Sequence, residues 1–137
     1  MDTLTAEHRS RVMSRIKGKN TQPEMVVRRL IHALGYRFRL HRRDLPGSPD
    51  VVLPGQKKAI FVHGCFWHRH AGCKYAYVPK SNLDFWMKKF DANVRRDNST
   101  VEALKSLNWD VLIVWECQTR DPQHLSGVLE RFLSSDQ

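Results

Sequence analysis

The sequence predicts an α/β fold with a mixed central sheet flanked by helices. Three observations carry that prediction. The patterns run in the order helix, helix, three strands, long helix, strand, helix. Two of the strand segments, KAIFVHG and WDVLIVWEC, are nearly continuous apolar runs, as expected of strands covered on both faces. At 137 residues the chain is long enough to bury one core without disulfide staples, so residues 1–137 are expected to form a single domain.

Residues 5–17, TAEHRSRVMSRIK, set Val12 and Ile16 among Arg9, Arg11 and Arg15, which predicts a short basic helix too polar for the core. In TQPE, Thr21 and Glu24 have capping-box spacing and Pro23 suits a first turn. The helix that follows carries Val26, Val27, Leu30, Ile31 and Leu34 and stops at Gly35. YRFRLHR alternates apolar and basic residues, predicting a strand with one wet face. LPGSPD is a turn, DVVLP a second strand, and GQKK turns the chain into KAIFVHG. Residues 65–80 read as an irregular loop. Ser81 with Asp84 is expected to cap a helix from about 82 to 106, in which Leu83, Trp86, Met87, Phe90, Val94, Val101 and Leu104 recur at helical spacing. WDVLIVWEC is the last strand, and Asp121 and Pro122 open the closing helix.

Composition narrows the function classes. No apolar run approaches the roughly 20 residues of a membrane span, and the N-terminus lacks a signal core, so the expected compartment is the cytoplasm. The net charge is +9, and residues 1–49 hold 11 Lys and Arg against 4 Asp and Glu. Such a basic third attracts polyanions, above all nucleic acid, although charge alone also fits a solvated basic face and does not separate DNA from RNA.

The segment HGCFWHRHAGC is the richest in chemistry. Cys65, His70 and Cys73 lie within nine residues, and Cys117 arrives at the end of the last strand. In a reducing compartment this Cys3His set suits a closed, structural zinc site. The competing reading is a buried Cys117 beside an unligated pair. His63 and His68 are then spare, near Asp50 of the SPD turn. An oxygen ligand for Mg2+ and two imidazoles for base and acid or hydrogen-bonding work would suffice for phosphodiester hydrolysis, although an Asp after Pro is commonly just a turn residue. His41, His8, His32 and His124 read as surface or packing residues. Phe66 and Trp67 are adjacent in the irregular loop, so at least one is expected to protrude as an interaction group or base-stack wedge, joined by Trp86 if that ring is not core.

FVHGCFWHRHAGC, with LPGSPDVVLP before it, FWMKKFDANVRRD after it and LIVWEC near the end, closely resembles the very short patch repair (Vsr-type) endonucleases over about residues 8–118. The resemblance implies a restriction-endonuclease-like core with a structural zinc site. Residues 1–20 would form a basic DNA-contacting helix and residues 21–137 the catalytic core. It implies a bacterial, monomeric, Mg2+-dependent enzyme that nicks one strand of duplex DNA beside a T:G mispair left by deaminated 5-methylcytosine, alongside other repair proteins. Asp50 and the Val62 main-chain carbonyl would hold Mg2+. His68 would be the general base, oriented by Asp97, with His63 at the scissile phosphate and Glu24 near the metal. Cys65, His70, Cys73 and Cys117 would hold zinc; Met13, Phe66, Trp67, Trp86 and Asn93 would engage DNA. Val62 stands where a threonine is familiar in the family, and two residues rather than one separate His70 from Cys73. Two other readings remain at this stage: a non-catalytic zinc module that binds bent or damaged DNA, and a restriction-type nuclease on the same core.

Overall fold

The computed structural model describes residues 20–135; the predicted basic helix 5–17 and Met13 lie outside them. Helix α1 (Gln22–Ala33) leads to β1 (Arg39–Leu40), β2 (Val51–Leu53) and β3 (Lys58–His63), then α2 (Leu83–Ser106), β4 (Asp110–Trp115) and α3 (Pro122–Ser134). The sheet order is β1-β2-β3-β4. The first three strands are mutually antiparallel, and β3 and β4 pair in parallel across the α2 crossover. The sheet is therefore mixed and lies between helices, as expected.

Strand alternation divides the apolar side chains into two layers. Val51, Leu53, Ile60 and Val114 face Val27 and Ile31 of α1 and Leu125, Leu129 and Leu133 of α3. Val52, Ala59 and Phe61 face the other way, onto Leu104 of α2 and Trp109. Both faces are covered, which explains why β3 reads as an unbroken apolar run. Its first residue is the exception: Lys58 is 1% exposed, and its Nζ donates to the carbonyls of Phe132 (2.6 Å), Leu133 (3.2 Å) and Ser135 (2.6 Å). The ammonium thus satisfies the end of α3, where orphan carbonyls and the helix dipole favour a cation.

Several boundaries differ from the sequence reading. The strand expected across YRFRLHR shrinks to two exposed residues, because His41 adopts φ 48° and ends the ladder. Ser81 does not cap α2; Asn82 does, in the left-handed region that Asn tolerates and with no side-chain bond. The last strand stops at Trp115, so Cys117 sits in a 3-10 turn, Glu116–Arg120. At the other ends the expected caps form, except that Glu24 does not complete the capping box. Thr21 accepts from the Glu24 N–H and Asp121 from that of His124, and Gly35, at φ 91°, donates to His32.

Candidate active site and metal centre

The parallel pairing of β3 with β4 sets the C-terminal ends of both strands side by side, with His63 opposite Trp115. Everything of chemical interest gathers there. A cleft of about 350 Å³ is lined by Gly47, Ser48, Asp50, Val62, His63, His68, Arg96, Asp97 and Thr100, among others. Asp50 precedes β2, and its Oδ2 accepts from the Val62 N–H at 2.7 Å. Burial raises Asp50 from 3.8 to about 7; the Val62 bond opposes the rise, and the nearby Glu24 carboxylate adds to it. A half-buried carboxylate short of positive charge, beside a second carboxylate, is a donor set suited to a hard cation.

His63 and His68 stack in parallel, with ring centroids 3.8 Å apart. Asp97, reaching across from α2, lies 2.7 Å from His68 Nδ1, which leaves Nε2 of that ring for the cleft. Burial, then the neighbouring His68, lower His63 to about 4, so it is a neutral imidazole at pH 7. Its Nδ1 is buried and has no hydrogen-bond partner among the described residues.

Glu24, 2% exposed, lies behind Asp50. Its carboxylate does not return to Thr21 as a capping box would. Instead Oε2 takes the Asn20 N–H (2.8 Å), Arg28 Nη2 (3.1 Å) and His41 Nε2 (3.1 Å). His41, read from the sequence as a surface or packing residue, thus packs against Glu24 behind Asp50.

The four predicted zinc ligands converge on the far side of the loop. Cys65, His70, Cys73 and Cys117 each offer an atom within 4.8 Å of the others. His70 Nδ1 lies 3.7 Å from Cys65 Sγ and 3.4 Å from Cys117 Sγ. Tetrahedral zinc with ordinary Zn–S and Zn–N bonds requires about 3.6 Å between such atoms, so the set fits the ion. Burial pushes the Cys65 thiol up to about 12, whereas Cys73, whose sulfur accepts from the Tyr75 N–H, is lowered. Ligation would thus displace the Cys65 proton. The His70 ring stacks on Trp115 at 4.3 Å, which joins the loop to the end of β4.

Phe66 and Trp67 are both half-buried, contrary to the expectation that one stands free. They meet edge to face at 5.1 Å and share one cluster with Trp86 and Phe90. The exposed rings are Tyr77 at 63% and Phe85 at 59%, packed on Phe66 and Trp86 respectively. Arg69 fastens the loop from within, donating to the carbonyls of Phe66, Ala76 and Tyr77 and lying 3.8 Å from the Phe90 ring centroid. Asn93 Nδ2 donates to the Trp67 carbonyl at 3.0 Å. No local pattern marks Arg28, His41, Arg69 or Phe90 as members of the site. The one sequence hint is for Arg69, a cation between two candidate site histidines, His68 and His70.

Comparison with known proteins decides the family. The model of the family described as DNA mismatch endonuclease Vsr matches residues 1–74. A type II nicking enzyme, V.XorIIP of Xanthomonas oryzae pv. oryzae, is 48% identical over 132 residues, 96% of each chain. The chain belongs to the Vsr family of DNA mismatch endonucleases. The DNA mismatch endonuclease Vsr of Escherichia coli is 40% identical over 118 residues, 86% of this chain and 75% of that protein. The type II nicking enzyme V.NmeAIP of Neisseria meningitidis is 39% identical over 120 residues, 88% of this chain and 85% of its own. Vsr membership makes the cleft a candidate DNA-cleaving site. Among the described residues, no helix is long and apolar enough to cross a membrane.

Proposed function

We propose that this chain nicks one strand of duplex DNA beside a T:G mispair, by Mg2+-dependent hydrolysis of a phosphodiester that leaves 5′-phosphate and 3′-hydroxyl ends. One observation carries the reading: Asp50, His63, His68 and Asp97 line a single cleft next to a fastened aromatic loop. The nicking named in several Vsr relatives supports cutting of one strand.

Asp50 and the Val62 carbonyl would hold Mg2+, which when bound supplies positive charge at the scissile phosphate. His68 takes the proton of the attacking water through Nε2. The Asp97 carboxylate holds the ring's other nitrogen and stabilises the imidazolium that results. His63, neutral and stacked on His68, offers a hydrogen bond at the phosphate rather than a charge. Glu24 sits behind Asp50 and shapes its field.

Zinc on Cys65, His70, Cys73 and Cys117 would pin the loop, so that Phe66, Trp67 and Trp86 can be driven into a base stack without collapsing. Met13 acts from the N-terminal segment, and Asn93 contacts DNA while supporting the Trp67 backbone. Unstacking costs a few kcal/mol per step and less at a mispair, which gives such a wedge its selectivity.

The test is a labelled duplex carrying one T:G mispair, incubated with zinc-loaded protein and Mg2+ in varied flanking sequences. One nick beside the mispair is expected. Binding without a nick would assign a non-catalytic recognition module, and cutting both strands of matched DNA would assign a restriction-type nuclease.

A further inference from the structure

Exposed apolar side chains are concentrated on one stretch of the surface. Of the seven large apolar residues that stand exposed among the described ones, five fall between positions 77 and 87: Tyr77, Val78, Leu83, Phe85 and Met87. Scattered apolar residues are ordinary, whereas a cluster of this kind marks a surface that meets a partner. The same stretch is basic. Residues 74–89 hold Lys74, Lys80, Lys88 and Lys89 against the single acid Asp84, and all four lysines are exposed. Apolar rings among excess cations suit nucleic acid, while like charge opposes a second copy of the same surface.

Two of the five residues are aromatic, and they occupy the two ends of a continuous row of rings. Tyr77, 63% exposed, packs on Phe66 at 5.0 Å; Phe66 meets Trp86 at 5.5 Å; and Trp86 meets Phe85, 59% exposed, at 5.3 Å. The inner two rings are half-buried against Phe90. Each spacing exceeds the rise of roughly 3.4 Å between stacked bases. A single step opened by the inner rings therefore has no room for the outer ones, which would rest on the base edges and sugars of the neighbouring pairs. Both outer rings are set in place by the protein. The Tyr77 carbonyl accepts from Arg69 Nη1 at 3.1 Å, and Phe85 lies in the first turn of α2.

We infer that Tyr77 and Phe85 are outer DNA contacts, gripping the duplex on the two sides of the base step that the wedge opens. The inference rests on the proposed wedge of Phe66, Trp67 and Trp86. The inner rings supply the opening, and the outer rings hold the flanking pairs by apolar contact with base edges and thymine methyl groups. Those contacts form only once the inner rings are seated, so they add more to the binding of a mispaired duplex than to that of a matched one. Neither ring lines the cleft of Asp50, His63, His68 and Asp97, so both act on binding and not on hydrolysis.

Two measurements on zinc-loaded protein test this. Hydroxyl-radical labelling of the wild type, read by mass spectrometry, is expected to show Tyr77 and Phe85 protected by a T:G duplex without Mg2+. Leu107, 49% exposed at the far end of α2, should label as before. In anisotropy titrations with the same duplex, Tyr77→Ala and Phe85→Ala are each expected to bind roughly 5- to 100-fold more weakly, the range of one base–aromatic contact. Their loss on matched DNA should be smaller, and kcat at saturating duplex should be unchanged. Tyr77→Phe and Phe85→Tyr, which keep the rings, should stay near the wild type. Unprotected rings, or undiminished affinity in both folded alanine variants, would overturn the inference; if Trp67→Ala still loses the T:G preference, the wedge stands without its outer contacts. A wild type with no preference for the T:G duplex would overturn the wedge and the inference together. Protection that appears with rising protein concentration and no DNA would assign the patch to a second copy, which also overturns it. If an alanine variant fails to fold, the labelling of the wild type decides.

Discussion

Asp50→Asn should make the Mg2+-free protein more stable while abolishing nicking. Asparagine keeps the size of the side chain and an oxygen to accept from the Val62 N–H, and it removes the charge. Burial and, secondarily, the Glu24 carboxylate hold Asp50 at about 7 against 3.8 for the free group. The folded-state value lies above the unfolded one, so ionisation costs stability. That cost is nearly absent below pH 4, grows between about pH 4 and 7, and is complete above 7. At roughly 1.4 kcal/mol per pKa unit the full cost is on the order of 4 kcal/mol as an upper bound, and about half of that at pH 5.5. For a chain of this length that corresponds to roughly 10 °C in melting temperature at pH 8. Thermal melts of the zinc-loaded wild type and variant without added Mg2+, at pH 8 and pH 5.5, measure both values. Adding Mg2+ at pH 8 should then raise the melting temperature of the wild type and leave the variant nearly unchanged. The reasoning is refuted if the variant melts at or below the wild type at pH 8, or if its advantage does not shrink on acidification.

Three further outcomes follow from the same geometry. Cys117→Ser should lose its zinc by elemental analysis and destabilise the loop by several kcal/mol, read as faster proteolysis within residues 65–80; undiminished zinc content would remove Cys117 from the ligand set. Asp97→Asn should lower kcat by about 10²–10⁴ with duplex affinity intact, because it disturbs only the nitrogen of His68 that faces away from the water; an equal loss of affinity would make Asp97 a folding residue. Gly47→Ala should cost about 1–3 kcal/mol in denaturant melts, since its φ is 72° and a Cβ would sit 2.3 Å from Thr100 Cγ2. Thr100→Ser in the same chain should recover only the contact part of that loss.

What the sequence reveals of this molecule depends on how far apart in the chain the cooperating residues stand. Val52, Ala59 and Phe61 face one side and Val51 and Ile60 the other, so period-two alternation and burial are written directly in consecutive residues. Cys65, His70 and Cys73 are legible for the same reason, and Cys117 joins them because a parallel neighbour ends beside β3. The Glu24, Arg28 and His41 cluster is not legible. Only the left-handed backbone at His41, ending a two-residue edge strand, turns that ring back toward α1. Lys58 hides in the same way, because the carbonyls that hold it lie more than seventy residues onward. The resemblance to Vsr enzymes names Glu24 and Asp97 where composition and spacing do not, yet it is silent on Arg28, His41 and Arg69.

The order of residues 63–70 has a mechanical consequence for the proposed reaction. His63 and His68 face the cleft, Cys65 and His70 belong to the candidate metal-ligand set, and Phe66 and Trp67 carry the rings, all within eight consecutive positions. Neighbouring Cα atoms are about 3.8 Å apart, so Trp67 and His68 cannot move independently by more than a side chain's reach. A wedge seated in one base step therefore presents the base-bearing imidazole to a phosphate at a fixed offset from that step. The Arg69 bonds to three loop carbonyls and the proposed zinc ligation remove the remaining slack. On this account the distance from mispair to nick is set by the covalent length of the loop, not by recognition of the bases around the cut. Flanking sequence should then alter how well the duplex bends and is held, and leave the position of the nick unchanged.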